Sequence, residues 1–346
     1  MKTYLGIDLH KRSSTWVLID ENKKVLDERT VPCTPLLVRQ AIHQLPLRGY
    51  SQTKVAVEPV CGWRWFSNEL ESHGMDVHIA NPLKVRLIAD SKLKTDRVDA
   101  KTLALLLKAD FLPESYKASD DTAVLRNMVR HRGYLVRQRT SIKNRIHSIC
   151  TREGSHLTSL TPLTKIGIQT LKGGDNEELK DLVVLMDEVS VHIVVIEKQM
   201  KLISKTPILE LLMTMPGVGL VSAIAIHGEV GDWSRFDTPE KLASYSGLVP
   251  SQRSSGASVR MGHITKMGSH ILRYTMVEAA MKVRNQESHE VLYSFYERLV
   301  PIRGAKSARV ALARKMLTIL WYMVTQNTPY ENRKATSTQS EMISCA

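Results

Sequence analysis

The sequence predicts an α/β domain followed by two regions that are mainly helical. In residues 1–112, short runs of β-branched and aliphatic residues alternate with amphipathic helical segments. Beyond that point helical periodicity replaces the strand pattern, first in residues 122–152 and then in residues 177–204. Residues 207–330 combine further helices with a segment rich in glycine and serine, and residues 331–346 have the composition of a disordered tail.

The predicted elements of the first region follow one another in a definite order. Strands are predicted at 4–9, 15–20, 24–31, 53–58 and 76–80, and helices at 36–44, 62–73, 84–91 and 97–109. The resulting order, βββαβαβαα, is that of a ribonuclease H-like fold, whose mixed sheet carries acidic residues at strand ends.

Four acidic residues occupy positions that this fold would bring together. Asp8 and Glu58 end the first and fourth strands, and Asp96 and Asp99 lie one helical turn apart on one helix face. Taken singly, each acid could instead cap a turn or a helix, with Asp96 as an N-cap. Taken together, four mutually repelling carboxylates without Cys or His partners favour a hard divalent cation, and we expect Mg²⁺.

Residues 122–152 form a basic amphipathic helix that contains no acidic residue. We interpret it as a surface that binds the phosphates of nucleic acid, and the alternative is a merely solvated charged face. The predicted contact residues are Arg126, Arg130, Arg137, Arg139, Lys143 and Arg145.

Residues 177–204 have the apolar spacing of a coiled-coil seam, alternately four and three residues apart. The seam consists of Leu182, Met186, Val189, Ile193, Ile196, Met200 and Ile203. Its partner could be the basic helix, folded back as an antiparallel hairpin, or the same helix of another subunit.

Two further motifs in residues 207–330 suit phosphate binding. Gly217 and Gly219 belong to a Pro-Gly-Val-Gly turn between two helices, which is typical of a helix-hairpin-helix element. The segment 247–268 reads as a loop in which Arg253, Arg260 and Lys266 could hold phosphates and a serine could act as a nucleophile.

Composition agrees with a nucleic-acid partner. The 346 residues include 48 Lys and Arg against 35 Asp and Glu, for a net charge of +13. The four cysteines contain no CxxC pair, which argues against a disulfide framework or a zinc knuckle. The apolar run at 317–324 is too short to span a bilayer and the N-terminus has no leader pattern, so we expect a cytoplasmic protein without a membrane partner.

Several motifs together resemble one family. GIDLH, AVEP, KTDRVDAKTLA, MTMPGVG and GLVPSQRSSGASVRMGHITKMGSHILR occur in the order seen in the DEDD transposases of the insertion-sequence 110 family, which also include Piv-type DNA invertases. The resemblance spans residues 4–273 and implies a fold similar to Holliday-junction resolvases. It also implies that Asp8, Glu58, Asp96 and Asp99 bind Mg²⁺ and that Ser255, just before a glycine, is the catalytic serine.

The resemblance further implies a homo-oligomer, a dimer or a tetramer, and a structured bridge RNA that pairs with donor and target DNA. We therefore expect a site-specific DNA recombinase with a catalytic domain at 1–112, a basic and coiled-coil region at 113–206 and a transposase domain at 207–330. Two alternatives stay open. One is a Mg²⁺-dependent junction resolvase that uses water as nucleophile, and the other is a non-catalytic nucleic-acid-binding protein.

Overall fold

The computed structural model of the chain describes residues 2–46, 49, 52–88, 95–154, 163–255, 258–283 and 290–331, without the side chains of residues 253–260. The chain divides into two compact units, Met1–Lys117 and Ala118–Ala346. The predicted boundary at residue 112 is therefore close to the division in the structure, whereas residues 118–206 and 207–330 share one unit.

The first unit contains a five-stranded mixed sheet in the order β3-β2-β1-β4-β5. Its elements are β1 (Thr3–Leu9), β2 (Ser13–Asp20), β3 (Val25–Pro32), α1 (Pro35–His43), β4 (Thr53–Val57), α2 (Trp63–Ser72), β5 (Asp76–Ile79), α3 (Pro82–Ile88) and α4 (Asp96–Lys108). β1 pairs antiparallel with β2 and parallel with β4. The predicted order βββαβαβαα is thus observed, and the mixed sheet is consistent with a ribonuclease H-like domain; the end of the third predicted helix, 89–91, lies outside the described residues.

Apolar residues cover both faces of this sheet. On one face, Leu5 and Ile7 of β1 join Phe66 of α2 in a core that also contains Trp16. The rings of Trp16 and Phe66 meet edge to face, with centroids 6.1 Å apart. On the other face the sheet is covered by α4, which packs against β1, β2 and β4.

Gly6 explains how closely α4 approaches β1. A Cβ atom at this position would lie 1.9 Å from the carbonyl oxygen of Ala100, so only glycine leaves room for the backbone of α4. The close approach brings the N-terminal turn of α4 next to the end of β1, where Asp8 lies.

The second unit is helical apart from one β-ribbon. Its elements are α5 (Asp120–Arg152), α6 (Lys165–Gly173), α7 (Glu177–Leu202), α8 (Pro207–Met213), α9 (Leu220–Val230), α10 (Pro239–Ser246), β6 (Pro250–Ser255), β7 (Ser258–Ile264), α11 (His270–Val283) and α12 (Glu290–Gln326). The segment 247–268 was predicted as a loop, and this prediction is wrong in its middle, because β6 and β7 pair there as antiparallel strands.

The long helices α5 and α7 pack against each other within the chain. Ion pairs link Arg132 to Glu197 and Arg145 to Glu178. Residue numbers therefore rise along α5 where they fall along α7, so the two helices are antiparallel. Of the two partners that the sequence left open, the basic helix is therefore the one observed within the chain. Four of the seven predicted seam residues are buried, namely Met186, Ile193, Ile196 and Met200.

One core joins this hairpin to the rest of the second unit. Val129 of α5 and Ile196 and Met200 of α7 are buried in the same cluster as residues of α8, α9, α11 and α12. This shared burial is the physical reason why residues 118–206 do not form a compact unit of their own. No helix among the described residues is long and apolar enough to cross a membrane.

Candidate functional site

Asp8 and Glu58 are placed side by side by the pairing of β1 with β4. Ile7 lies opposite Val57 in this parallel pair, and the amide of Glu58 donates a hydrogen bond to the carbonyl of Ile7. Asp8 is buried, with a side chain only 8% exposed. Parallel strands end at the same edge of a sheet, so this edge is where the two acids meet.

Asp96 and Asp99 are supplied by the first turn of α4. The N-cap of this helix is Thr95, whose hydroxyl accepts a hydrogen bond from the amide of Val98. The alternative in which Asp96 is the N-cap is therefore wrong, and its carboxylate is not used by the cap. Asp96 is largely exposed, and Asp99 follows one turn later on the same face.

His10 completes this group and was missed from the sequence. Its Nε2 atom lies 3.3 Å from Oδ2 of Asp8 and 3.3 Å from Oδ2 of Asp96. One ligand atom from each of these three residues lies within 4.8 Å of the others, a spacing that could hold a metal ion. The signal was present, because residues two apart on an extended chain share a face, and His10 is two residues after Asp8.

The pKa of Asp8 responds to its buried position and to the charges around it. It is raised to about 6, mainly by burial; His10 lowers it, and the charges of Glu58, Asp96 and Asp99 contribute smaller increases. The charges of Glu58, Asp96 and Asp99 thus act on Asp8, whereas the ligand atoms that lie within 4.8 Å of one another belong to Asp8, His10 and Asp96. A metal site shared by all four acids stays a prediction. His10 adds an imidazole nitrogen that the sequence argument for Mg²⁺ did not include, so this donor set fits a divalent cation without selecting Mg²⁺.

The basic face of α5 is only partly available to a ligand. Arg130 pairs with the buried Glu229 at 3.0 Å, and Arg126 donates to the backbone carbonyls of Gly228 and Glu229. Arg145 is paired with Glu178. Acids on α7 and α9 therefore compensate charges of residues 122–152, a segment that contains no acid of its own. The local sequence does not reveal this relationship.

Other cations of α5 have no ion pair among the described residues. They are Arg137, which is exposed, and Arg139 and Lys143, which are half-buried. For these three the predicted role in phosphate binding remains open. For Arg126 and Arg130, a structural role in anchoring α5 to the end of α9 is visible in the contacts.

Glu229 is a second residue that the sequence analysis missed. Its carboxylate accepts hydrogen bonds from Arg130 and from the hydroxyl of Ser269, and its carbonyl accepts one from the hydroxyl of Tyr245. This buried acid therefore links α5, α9, α10 and the start of α11. No motif or spacing signalled it, because its partners come from distant parts of the chain.

The predicted phosphate-binding turn lies between α8 and α9. Gly217 has a φ of 78°, and a Cβ atom there would be 2.5 Å from the carbonyl of Ala279. Packing against α11 therefore requires glycine at position 217, and no ligand is needed to explain this residue. Gly219 is the N-cap of α9, with open space around it. Lys266 is exposed and has a φ of 54°, which is unusual for a residue other than glycine.

The predicted catalytic serine lies at the end of a strand. Ser255 is the last residue of β6 and pairs with Ser258 of β7, and Arg253 pairs with Arg260. The connection, residues 256–257, and the side chains of 253–260 lie outside the described residues. Ser255 therefore lies at the end of the ribbon where β6 and β7 are joined in sequence.

Comparisons with known proteins agree on one family. Residues 5–153 match a family of DEDD transposases of the IS110 type, and residues 209–297 match the family described as "Transposase IS116/IS110/IS902 family". The first match includes the four acids, and the second includes the serine ribbon.

Relatives of this chain are similar over almost their whole length. A "Probable family 20 transposase" of Pseudomonas aeruginosa is 27% identical, over 94% of this chain and 98% of the relative. The "Pilin gene-inverting protein" of Moraxella lacunata is 26% identical, over 96% and 98%. The "Transposase for insertion sequence element IS1111A" of Coxiella burnetii is 25% identical, over 94% and 90%.

Both halves of the chain therefore match transposase domains of one kind, and its relatives are named as transposases and as a pilin gene-inverting protein. Proteins of this kind are recombinase enzymes, so the non-catalytic alternative is set aside. The chain belongs to the IS110 family of insertion-sequence transposases.

Proposed function

We propose that this transposase is a site-specific DNA recombinase that moves its own insertion sequence and uses a Mg²⁺ site formed by Asp8, Glu58, Asp96 and Asp99. The observation that carries the proposal is that ligand atoms of Asp8, His10 and Asp96 lie within 4.8 Å of one another. Burial raises the pKa of Asp8 most, and the charges of Glu58, Asp96 and Asp99 raise it in addition. A cluster of this kind is costly unless a cation neutralises it.

When bound, Mg²⁺ supplies a Lewis acid for an oxygen of the scissile phosphate. The residues of the chain provide a rigid frame. Asp8 and Glu58 are held at paired strand ends, and Asp96 and Asp99 by a helix that Thr95 caps. Oxygens that are already in place need little reorganisation during the reaction, which lowers its barrier.

The nucleophile in this proposal is the hydroxyl of Ser255. Its Oγ forms a bond to phosphorus while the bond from phosphorus to one DNA oxygen breaks. The serine proton passes to solvent, and the departing DNA oxygen takes up a proton. Support comes from the resemblance in sequence and from the position of Ser255 as the last residue of β6, opposite Ser258 of β7.

A trapped reaction tests this step. The wild-type protein should give a protein–DNA adduct that survives denaturation, and Ser255→Ala should lose both the adduct and recombination while it still binds DNA. Ser254→Ala and Ser258→Ala are matched controls that should keep some adduct. If Ser255→Ala still produces free cleavage ends, water is the nucleophile and the resolvase alternative holds.

The metal site is tested separately from the serine. Asp8→Ala and Asp96→Ala should abolish recombination and leave DNA binding in place, because both residues act on the bound phosphate and not on DNA affinity. Recombination by either variant at the wild-type rate would overturn the assignment of the site.

We further propose that a structured bridge RNA binds the basic surface of the protein. The proposal rests on the family resemblance and on the net charge of +13. Nucleic acid that copurifies with the gently isolated protein should contain one RNA encoded next to the transposase gene. Sequencing that finds only a random mixture of cellular RNA would contradict it.

Self-association through α7 is the last part of the proposal. Val184, Val191, Val195 and Leu202 are exposed, and their separations of seven, four and seven residues place them on one face, opposite the face buried against α5. A second copy of the helix would cover this stripe. Sedimentation of a Val184→Lys/Val191→Lys variant should show dissociation, whereas Ile166→Lys, at an isolated exposed residue of α6, should not. An unchanged mass for the double variant would contradict the proposal.

A further inference from the structure

The C-terminal helix α12 carries an unusual concentration of positive charge. From Arg298 to Gln326 there is no acidic residue, and the segment contains six cations, namely Arg298, Arg303, Lys306, Arg309, Arg314 and Lys315. The chain of this segment is not one straight helix. Gly304, shortly after Pro301, has non-helical backbone angles of φ 76° and ψ 155°.

The bend brings cations from both halves of α12 together at one aromatic ring. Nζ of Lys315 lies 4.4 Å from the centroid of the Phe295 ring, and Cζ of Arg298 lies 5.7 Å from it. In a straight helix, residues 295 and 315 would be about 30 Å apart. The two halves of α12 are therefore folded back on each other, with the ring of Phe295 between two cations.

This arrangement is electrostatically unfavourable by itself. The pKa of Lys315 is lowered, first by burial and then by the charge of Arg298. The Nε atom of Arg309 is also buried, and it has no hydrogen-bond partner among the described residues. None of the six cations takes part in an ion pair within the described part of the chain, in contrast to Arg130, Arg132 and Arg145 of α5.

The apolar face of the same helix explains why the cations stay together. Ala308, Leu312, Met316 and Leu320 are fully buried in the core of the second unit, so the second half of α12 cannot rotate to separate its charges. Two acids, Glu290 and Glu297, precede the six cations in the same helix. None of these cations forms an ion pair with them among the described residues, and cations held in place without such a partner are a ready site for an anion with several charges.

We propose that Arg298, Lys315 and the neighbouring cations of α12 bind the phosphate backbone of duplex DNA, at a surface separate from α5. The inference rests on the proposed function only in taking DNA as the partner. DNA is chosen because the relatives of this chain are named as transposases and as a gene-inverting protein. The ring of Phe295 keeps both cations in place when DNA is absent.

The experiment compares two variants that each remove two positive charges. Affinity for a duplex of arbitrary sequence is measured against NaCl concentration, without Mg²⁺, for Arg298→Gln/Lys315→Gln and for Lys180→Gln/Lys241→Gln. Lys180 and Lys241 are matched controls because both are already paired in the chain, with Glu177 and Asp237. The α12 variant should lower the salt slope by about two, and the control should keep the wild-type slope.

A further variant and the conditions of the measurement make the outcome decisive. Arg298→Lys retains the charge and should retain the slope, which separates loss of charge from loss of folding. The slope is measured without Mg²⁺ and without cleavage, so a failure of the proposed chemistry would not affect this inference. An unchanged slope for Arg298→Gln/Lys315→Gln would overturn the proposal, and so would a loss seen only with structured RNA.

Discussion

Nε2 of His10 lies 3.3 Å from a carboxylate oxygen of Asp96, which joins the end of β1 to the first turn of α4. The contact depends on how closely the helix packs on the strand. Gly6 has no side chain to hold Ala100 away, and the first turn of α4 therefore reaches the sheet edge that carries Asp8. The close approach of the α4 backbone to Gly6 therefore brings Asp96 next to His10 and Asp8.

The acidic site should destabilise the protein when no metal is bound. The pKa of Asp8 in the folded state, about 6, is above its ordinary value of 3.8. The ionised carboxylate therefore lowers the free energy of unfolding. This loss is absent below about pH 4 and complete above about pH 6. Asp8→Asn should therefore raise the free energy of unfolding at pH 8 by roughly 1–3 kcal/mol, and by less at pH 5. Denaturant titrations at the two pH values measure the difference. An equal effect at both would contradict the assigned pKa.

Mg²⁺ should stabilise the wild-type protein against heat. A cation that binds only the folded state raises the melting temperature in proportion to its occupancy. Asp8→Asn and Asp96→Asn should lose this response, since each removes a ligand charge from the site. Asp110→Asn is the matched control, because Asp110 is exposed at the far end of α4 and its positive φ suits asparagine. A Mg²⁺ response retained by Asp8→Asn would place the metal elsewhere.

Gly6→Ala should damage the fold and the metal site together. The added methyl group would meet the backbone of Ala100 and push α4 away from β1. We expect a loss of about 1–3 kcal/mol in unfolding free energy, the usual cost of overpacking. Mg²⁺ titration should also show weaker binding. Gly173→Ala, where nothing lies within 4 Å of the added atom, should leave both measurements unchanged.

Arg130 should contribute more to stability than an exposed arginine. Its removal in Arg130→Met leaves the buried carboxylate of Glu229 without its cation, and a cost of about 2 kcal/mol is expected after allowance for the partial exposure of Arg130. Arg145→Met breaks an exposed pair and should cost under about 0.5 kcal/mol. In the double variant Arg130→Met/Glu229→Gln, part of the loss should be recovered. Equal losses for both arginines would contradict a buried pair.

Arg137 offers a direct test of nucleic-acid binding by α5. It is exposed and has no ion pair among the described residues, so Arg137→Gln removes charge without breaking a contact within the chain. The salt slope of DNA binding should fall by about one. Arg132→Gln, which removes a cation already paired with Glu197, should have a smaller effect. Identical slopes for Arg137→Gln and the wild type would mean that this face is only solvated.

Local patterns were sufficient for the elements of the first unit and for the choice of the four acids. Short runs of β-branched and aliphatic residues predicted all five strands of its sheet, because such residues favour an extended backbone. The order of these strands implied that Asp8 and Glu58 end next to each other, since parallel strands end at a common edge. The i, i+3 spacing of Asp96 and Asp99 placed both on one helical face.

Charge compensation could not be predicted in the same way. The basic helix appeared unpaired because only its own sequence was considered, whereas Glu229 and Glu197 approach it from α9 and α7. The cation cluster at Phe295 was likewise hidden, because the bend at Gly304 brings residues twenty positions apart to one ring.

The sequence by itself determined the type and order of the elements in the first unit, the four acids and the antiparallel hairpin as one of two arrangements, because these follow from local periodicity and spacing. It did not predict β6 and β7. Only the tertiary structure decided which acids neutralise which arginines, that His10 joins the acidic site, and that α7 packs on α5 and leaves a second apolar face exposed. Such contacts depend on where distant segments pack. That packing is set by the shared cores and by close approaches such as the one at Gly6, which no local pattern encodes.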